Sequence, residues 1–262
     1  MRGPLGRFGP LVSTVVAIVV TVLLWKLVIA VFDVSPFVLP QPEDVLSGVR
    51  DLVQSNDFWS DVRVTLTETL VGFAIALVLG IGLGTLLGRV AWLEQASRPV
   101  IVASQVVPKV ALIPLFIIWF GFGITSKIII VALLSFSPIL LNVILGVRSV
   151  DAGQRDVMRS LNATRWQTFR RLELPSTLPY ILAGMEVGIV FAVVGAVVGE
   201  YLGSSRGVGY LILQAEGTFD FNAVVAGIVV LTVFALLLDW IVTLAERRLL
   251  VWQPRGGETE KI

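Results

Sequence analysis

The sequence predicts an all-α, polytopic membrane protein with six transmembrane helices, and three observations lead to that prediction. Of the 262 residues, 56% are hydrophobic and 15% are charged, whereas soluble domains average about 45–50% apolar and about 25% charged residues. The apolar residues are collected in six long stretches, and lysine and arginine are concentrated in alternate connecting segments. The excess of apolar residues is too large for a core alone, so much of it must face lipid.

Six stretches are long enough to cross a bilayer. A span needs about 20 largely apolar residues, because about 30 Å of hydrocarbon is crossed at about 1.5 Å per residue. The six stretches leave little of the chain for a separate soluble domain, so residues 1–262 are predicted to form a single transmembrane domain. The predicted spans are residues 11–31, 65–88, 100–120, 128–147, 179–199 and 223–243.

The first stretch has two interpretations. It follows Arg2 and Arg7, as the core of a cleavable signal peptide would. Its apolar run is about twice as long as a typical signal core, and no Ala-x-Ala-like cleavage site follows it. We therefore expect a retained membrane anchor.

Lysine and arginine indicate the orientation of the spans. With the N terminus in the cytoplasm, inside segments carry 14 of the 20 basic residues and outside segments carry 4, while Lys26 and Lys109 lie within spans. Cytoplasmic loops carry the excess of positive charge in membrane proteins. Both termini are therefore predicted to be cytoplasmic. The four basic residues predicted outside are Arg50, Arg63, Lys127 and Arg206.

Composition also excludes several classes of function. The chain has no Cys and no His, which excludes disulfides, thiol chemistry and imidazole-based catalysis or metal binding. A net charge of +1, with no basic stretch interleaved with aromatics, argues against a nucleic-acid partner. No Gly-x-x-x-x-Gly-Lys motif occurs, so we expect no cofactor and no ATP hydrolysis in this chain. Carboxylate-only metal sites stay open, but no cluster of carboxylates in the sequence favours one.

The longest inside segment, residues 149–178, has a helical pattern of its own. Apolar residues recur on one face of residues 154–161 and again of residues 165–172, which predicts two short helices. Between them Asn162 suits a tight turn, because Asn tolerates left-handed backbone geometry. Pro175 and Pro179 are predicted to stop the second helix and lead into span five.

This segment, called the 149–178 loop below, resembles the signature of binding-protein-dependent ABC importer permeases of type I. That signature reads Glu-Ala-Ala-x3-Gly-x9-Ile-x-Leu-Pro, and all its spacings match. Asp for Glu, Asn for Gly and Leu for Ile preserve the local chemistry, whereas Val157 and Met158 are larger than the alanines they replace. The signature positions here are Asp156, Val157, Met158, Asn162, Leu172, Leu174 and Pro175.

The resemblance implies that the 149–178 loop couples the membrane domain to a cytoplasmic ATPase. In that family the loop forms short helices that sit in a groove of the ATPase subunit. Leu161, Ala163 and Trp166, around the predicted turn, are expected to share this role with the signature positions. The opposing interpretation is a solvated basic loop that merely obeys the positive-inside rule, and the fixed spacing favours the coupling role.

Four further segments extend the resemblance over nearly the whole chain. They are similar to the sulfonate, taurine and nitrate permeases and to the related pyrimidine and riboflavin-type permeases. In order they read FVLPQPEDV, VPKVALIPLFIIWFGFG, GEYLGSSRGVGYLI and RRLLVW.

The resemblance implies a type I ABC importer permease fold in the bacterial cytoplasmic (inner) membrane. Its transported solute would be a small anion such as a sulfonate, or a small heteroaromatic vitamin precursor. Its partners would be a second permease copy in a homodimer, two ABC ATPase subunits that hold ATP and Mg²⁺, and an extracytoplasmic substrate-binding protein. The alternative is a self-sufficient channel or ion-gradient transporter, which would need a set of ion-binding residues at the middle of the membrane and perhaps an inverted repeat; no such repeat occurs.

Gly80, Gly84 and Gly88 form a Gly-x-x-x-Gly-x-x-x-Gly ridge in span two. Glycines at this spacing allow close packing of membrane helices. A nucleotide-binding glycine loop would need a preceding strand, which a membrane span does not offer. The ridge therefore predicts a helix-packing surface.

Span three is predicted to be broken. Pro108 and Pro114 interrupt it, and a broken helix at membrane depth usually lines a cavity, where freed carbonyls find polar partners. Lys109 between the prolines is a candidate for the translocation path, with snorkelling to the interface as the alternative. Lys26 is expected to snorkel to the outer interface.

Other polar side chains within or at the ends of spans are further path candidates, although hydrogen bonds between helices explain such residues about as well. Glu186 is expected to pair with Lys109 or with a loop arginine. Glu200, at the outer end of span five, is expected to meet the binding protein, to gate the outer mouth or to form a structural salt bridge. The path candidates are Gln105, Lys109, Ser135, Ser137, Asn142 and Glu200.

Overall fold

A computed structural model describes residues 5–35 and 38–252, except for the side chains of residues 5–12 and of Thr14. Arg2, Phe37 and the side chain of Arg7, which entered the sequence argument, lie outside the described part. Within it every regular element is helical. The α-helices are α1 Leu5–Phe32, α2 Pro42–Gln54, α3 Phe58–Arg89, α4 Ala91–Val106, α5 Ile113–Phe120, α6 Ile124–Arg148, α7 Ala152–Ser160, α8 Arg165–Thr168, α9 Leu174–Gly203, α10 Val208–Gly217 and α11 Phe221–Leu249.

The described helices form two compact units. One comprises the chain up to Trp59 together with Leu211–Leu231, and the other comprises Ser60–Tyr210 and the chain from Thr232 onward. In the first unit Lys26 of α1 forms an ion pair with Glu43 of α2. The hydrogen bond from Lys26 lowers the pKa of the Glu43 carboxyl, because it favours the ionised form.

The second unit is built around a parallel pair of helices, α3 and α6. A Cβ atom on any of four α3 glycines would come within 2.5–2.7 Å of an α6 side chain, so the two backbones approach closely where the glycines lie. In each pair the two residues are separated by the same number of positions along the chain, so α3 and α6 run in the same direction. The pairs are Gly72–Val131, Gly80–Ile139, Gly84–Val143 and Gly88–Val147.

The parallel arrangement determines how the segment between α3 and α6 must run. Since α6 begins at the end of the bundle where α3 begins, the intervening residues must return across the full thickness of the unit. They do so as α4, a 3₁₀ turn at Lys109–Leu112 and α5, with a bend of 82° at the break. Counted as one span, which the parallel course of α3 and α6 favours, the bent pair brings the number of spans to the predicted six.

The break in the third span lies where the sequence predicted it. The helix ends at Val106 and the chain passes through Pro108 in an extended conformation. Pro114, by contrast, lies in the first turn of α5, where a missing backbone N–H leaves no helical hydrogen bond unmade. Only the first of the two prolines therefore interrupts the span.

Helix α9 packs antiparallel to α6 along most of its length. A Cβ atom on Gly184 would lie 3.2 Å from the Cα atom of Ile139, and one on Gly195 would lie 3.1 Å from that of Val131. Near the other end of α6, the Thr177 hydroxyl donates to the Gly146 carbonyl at 3.3 Å. The core of the unit lies where α3, α6, α9 and the second half of α11 meet.

The prediction that Pro175 and Pro179 stop a helix is wrong. A π-helical turn at Phe169–Glu173 links α8 to α9, and the helical run extends from Arg165 to Gly203. The wider turn lets the Leu174 N–H bond to the Phe169 carbonyl, five residues back. This shift of the hydrogen-bond ladder makes room for the Pro175 ring, which would otherwise meet a carbonyl in a regular helix.

The other long helices overlap the apolar stretches predicted as spans and extend beyond them. Spans two, four and six correspond to α3, α6 and α11, each extending past the apolar stretch at one or both ends. In α1, Val15–Phe32 is apolar and long enough to cross a membrane. Hydropathy marks only the part of a helix that lies in hydrocarbon, so the polar ends of these helices were not predicted.

Candidate functional site

The 149–178 loop begins with a capped helix. The Asp151 carboxylate accepts a hydrogen bond from the backbone N–H of Gln154 at 3.1 Å, which satisfies one of the free donors at the start of α7. Because of this cap, α7 begins at Ala152, two residues before the predicted helix.

The turn after α7 has the left-handed residue that the sequence predicted. Asn162 has φ = 51°, and its N–H donates to the Arg159 carbonyl at 2.9 Å, while the N–H of Ala163 donates to the Met158 carbonyl at 3.0 Å. These bonds satisfy the last carbonyls of α7.

Helix α8 starts at once with a reciprocal cap. The backbone N–H of Thr164 donates to Gln167 Oε1 at 2.8 Å, and the backbone N–H of Gln167 donates to Thr164 Oγ1 at 3.3 Å. A capping box of this kind fixes the direction in which a helix leaves a turn. The two helices and the turn therefore form a single, internally bonded element.

Apolar side chains project from this element into solvent. Val157, Leu161 and Trp166 are 59%, 71% and 65% exposed, although the surrounding residues are polar. Asp156 forms an ion pair with Arg159 at 2.9 Å. An exposed apolar group with a polar rim is typical of a protein-binding surface.

The other signature residues lie nearer the bundle. Met158 and Ala163 are half-buried, as are Leu172 and Pro175, while Leu174 is 40% exposed. Leu172 and Pro175 line a cleft against Tyr180 at the start of α9. The signature positions thus divide between an exposed tip and a base that continues into the fifth span.

Ion pairs and ring contacts join this base to the transmembrane helices. Arg89, at the end of α3, pairs with Glu173 and lies over the Phe169 ring at 5.4 Å from its centroid. Arg148, at the end of α6, pairs with Glu94 of α4. The Arg89 contacts therefore join the 149–178 loop to α3, and the Arg148 ion pair joins α6 to α4. The two glutamates were not singled out in the sequence.

Two of the predicted path residues are brought together in the third and fourth spans. The Lys109 ammonium, at the break between α4 and α5, donates to Ser137 Oγ of α6 at 2.6 Å. Glu186 does not lie beside Lys109, contrary to expectation. It accepts a hydrogen bond from Thr243 Oγ1 of α11 at 3.3 Å, because it projects from the face of α9 that packs on α11.

The other path candidates are not assembled around Lys109 by their described contacts. Asn142 donates to its own helix, at the Pro138 carbonyl 2.9 Å away. Gln105 is exposed and donates weakly to the Ile101 carbonyl at 3.4 Å. Ser135 is fully buried, and its hydroxyl has no hydrogen-bond partner within the described structure.

Glu200 lies inside the unit and not at a surface. It is fully buried and accepts from Thr65 Oγ1 at 2.6 Å and from the Gly209 N–H at 2.7 Å. Asp61, also buried, accepts from the Gly207 N–H at 3.0 Å. Gly207 has φ = 110°, and a Cβ atom there would lie 2.2 Å from the Glu200 carboxyl carbon, so the turn between α9 and α10 requires glycine at this position.

Two more charged side chains complete this buried polar cluster, which consists of Asp61, Thr65, Glu68, Lys127 and Glu200. Lys127 is 2% exposed and donates to the Phe122 carbonyl at 2.8 Å. It also interacts electrostatically with Glu68 and Glu200. Lys127 was predicted to lie in an outside segment, whereas it is enclosed between helices, where carboxylates compensate its charge.

The comparisons with known proteins agree with this architecture. Residues 76–251 match the family model described as the binding-protein-dependent transport system inner membrane component. The chain belongs to this family. It is therefore the membrane-spanning permease subunit of an ABC importer.

Curated relatives match the permease over most of its length. It is 34% identical to a putative aliphatic sulfonates transport permease of Bacillus subtilis over 89% of this chain and 85% of that protein. It is 35% identical to the riboflavin transport system permease of Chloroflexus aurantiacus, with coverage of 93% and 91%. Identity to the taurine transport system permease of Escherichia coli is 31%, with coverage of 96% and 92%.

Two solved ABC transporters have the same fold. An inward-facing methionine ABC transporter superposes with a TM-score of 0.62 at 21% identity, covering 72% of the permease and 94% of that chain. An amino acid ABC transporter superposes with a TM-score of 0.60 at 19% identity, with coverage of 73% and 93%. At these identities the likeness defines the fold alone.

Proposed function

We propose that the permease imports a small organic anion of the sulfonate class by alternating access, driven by a separate ATPase that docks on the 149–178 loop. One observation carries this proposal: the loop is a rigid helix–turn–helix that exposes Val157, Leu161 and Trp166 to solvent. An exposed apolar tip on a charged loop has no structural purpose within one subunit, and a docked protein would bury it.

The attachment of the loop supports transmission of movement. Arg89 ties the base of the loop to α3, the π-helical turn continues it into α9, and Arg155 donates to the Val147 carbonyl of α6 at 3.3 Å. A displacement of the docked tip therefore moves the ends of three packed helices together. Rigid-body movement of this kind is how domain closure is passed across an interface.

The proposed assembly contains two permease copies, two ATPase subunits and an extracytoplasmic substrate-binding protein. Six spans per copy provide few helices to enclose a path, which supports a homodimer. An even number of crossings supports both termini lying on the same side, and basic residues support the cytoplasm as that side. In the Ser60–Tyr210 unit they collect at the end that carries the loop, as Arg89, Arg148, Arg155, Arg159, Arg165, Arg170 and Arg171.

The sulfonate class is supported by relatives and by one side chain. Proteins named for aliphatic sulfonates and taurine match over at least 85% of their length. Lys109 places an ammonium group at the break of the third span, bonded to a serine hydroxyl. A cation at membrane depth beside a broken helix is suited to an anion in transit.

A heteroaromatic vitamin precursor is the second candidate, because relatives named for riboflavin and formylaminopyrimidine match at 35% and 34% identity. The two candidates are separated by uptake into proteoliposomes containing the permease, its ATPase and its binding protein. We expect accumulation of radiolabelled taurine or an alkanesulfonate, and loss of most of that uptake in Lys109→Met. Accumulation of riboflavin alone, unaffected by Lys109→Met, would contradict the sulfonate proposal.

A further inference from the structure

Four arginines of the permease converge on a cleft beneath the 149–178 loop. Its volume is about 490 Å³. The lining side chains come from the end of α3, from α7, from α8 and from the π-helical turn. We call this the arginine cleft, and the residues that define it are Arg89, Arg155, Arg159, Arg165, Phe169 and Glu173.

Most guanidinium N–H donors in the arginine cleft have no acceptor among the described residues. A guanidinium group offers five N–H donors, yet the Arg89 side chain makes one hydrogen bond, to Glu173, and the Arg159 side chain makes one, to Asp156. The Arg165 guanidinium makes no ion pair or hydrogen bond with any residue that the structure describes. Arg159 and Arg165 are exposed, so their donors are open to an acceptor from solution.

Arg155 supplies an independent observation. Its Nη2 atom donates to the Val147 carbonyl at 3.3 Å, but its Nε atom is buried and without a hydrogen-bond partner among the described residues. A buried donor that makes no hydrogen bond lowers the stability of a protein by about 1–3 kcal/mol. Arginines that only obeyed the positive-inside rule would extend into water and leave no such atom.

The charges in the arginine cleft are unbalanced. Glu173 is its one lining carboxylate among the described residues, and Asp156 neutralises Arg159 from outside the cleft. Four guanidinium groups therefore face two carboxylates, which leaves two positive charges. Multidentate contact with guanidinium groups is the usual way in which proteins hold phosphate groups.

We propose that the arginine cleft binds a tetrahedral oxyanion of the phosphate type. The group would accept hydrogen bonds from Arg155 and Arg165 and would join α7 and α8 to the end of α3. It has two sources, a soluble phosphate compound or the headgroup of an anionic phospholipid at the membrane surface. The site lies apart from Lys109 and is independent of which solute the permease transports.

The test uses the purified full-length permease without its ATPase. Pyrophosphate is titrated at constant ionic strength into protein in neutral detergent, and binding is measured by isothermal calorimetry. Arg165→Gln removes a lining cation that makes no described contact, so it should fold normally and weaken binding about tenfold. Arg170→Gln is the matched control, since it removes the same charge from the same loop outside the cleft, and it should change affinity less than about twofold.

A second arm distinguishes the source of the phosphate group. The permease is placed in nanodiscs of phosphatidylcholine with or without phosphatidylglycerol, and lipid retained after transfer to detergent is identified by mass spectrometry. Retention of phosphatidylglycerol that Arg165→Gln abolishes and Arg170→Gln preserves identifies a lipid site, whereas pyrophosphate binding alone identifies a soluble ligand. The proposal is overturned if neither probe binds, or if Arg170→Gln weakens binding as much as Arg165→Gln.

Discussion

Among individual residues, Glu200 makes the contacts on which the buried polar cluster depends. Its carboxylate accepts one hydrogen bond from α3, through Thr65, and one from the start of α10, through Gly209. Thr65 Oγ1 in turn accepts from the N–H of Val208 at 3.0 Å. One side chain of α9 therefore joins three helices at the end of the unit opposite the 149–178 loop.

Replacing Glu200 is expected to destabilise the permease strongly. Glu200→Ala leaves two donors without an acceptor in a dry interior, so we expect the detergent-solubilised protein to lose about 2–4 kcal/mol of stability. Glu200→Gln keeps one acceptor oxygen and should lose less. Thermal unfolding followed by intrinsic fluorescence measures both, with exposed Asp57→Ala as the control. Equal melting temperatures for Glu200→Ala and the wild type would contradict the role assigned to the cluster.

The sequence singled out Glu200 but not its partners. Asp61, Thr65 and Glu68 are spaced for one face of a helix, and this pattern was the signal available for the cluster. Asp61, however, lies before the predicted start of span two, where polar residues usually meet solvent. Burial of Lys127 needed knowledge of which helices pack together, which spacing within one chain segment does not supply.

At the level of elements, the close packing of α3 against α6 depends on glycine. Gly84→Val would force a Cβ atom to within 2.7 Å of Val143 Cβ, and overpacking of this kind costs about 1–3 kcal/mol. Gly82 is the matched control, because a Cβ atom there meets nothing within 4 Å. Size-exclusion chromatography and thermal unfolding should show destabilisation for Gly84→Val only. Equal melting temperatures and elution profiles for the two variants would rule out the close parallel packing of α3 and α6.

The 149–178 loop is the second element with a testable role. Leu161→Glu places a charge at a position that is 71% exposed, so the permease itself should keep its melting temperature. Docking of the ATPase should weaken about tenfold or more, since the charge would be buried against an apolar groove. Co-purification with the ATPase measures this, and Val251→Glu, at another exposed apolar residue, is the control. Undiminished assembly of Leu161→Glu would remove the loop from the interface.

Local sequence described the loop only in part. Helix periodicity and the preference of Asn for positive φ predicted α7, the turn and α8. The passage of the helix through Pro175 could not be predicted, because it depends on the π-helical turn at Phe169–Glu173. In that turn a backbone N–H bonds to a carbonyl five residues back instead of four, and the pattern of apolar and polar residues does not reveal this change.

For the whole molecule, the number of spans was the most predictable property and the course of the third span the least. Length and apolar content fix how many segments can cross a bilayer. Six were predicted, and the described residues include five sufficiently long apolar helices and one bent pair that counts as a sixth. The 82° bend between α4 and α5 occurs where Pro108 is extended. The prolines indicate that the helix breaks, but they do not indicate the angle between the two helices.

We propose that this permease transports its solute only when an ATPase acts on it. Uptake into proteoliposomes that enclose the ATPase and contain the binding protein outside should require enclosed ATP and Mg²⁺. It should persist when ion gradients are collapsed with ionophores, and Leu161→Glu should reduce it to background. Uptake that continues without the ATPase, or that follows an imposed ion gradient, would contradict the account and indicate a self-sufficient transporter.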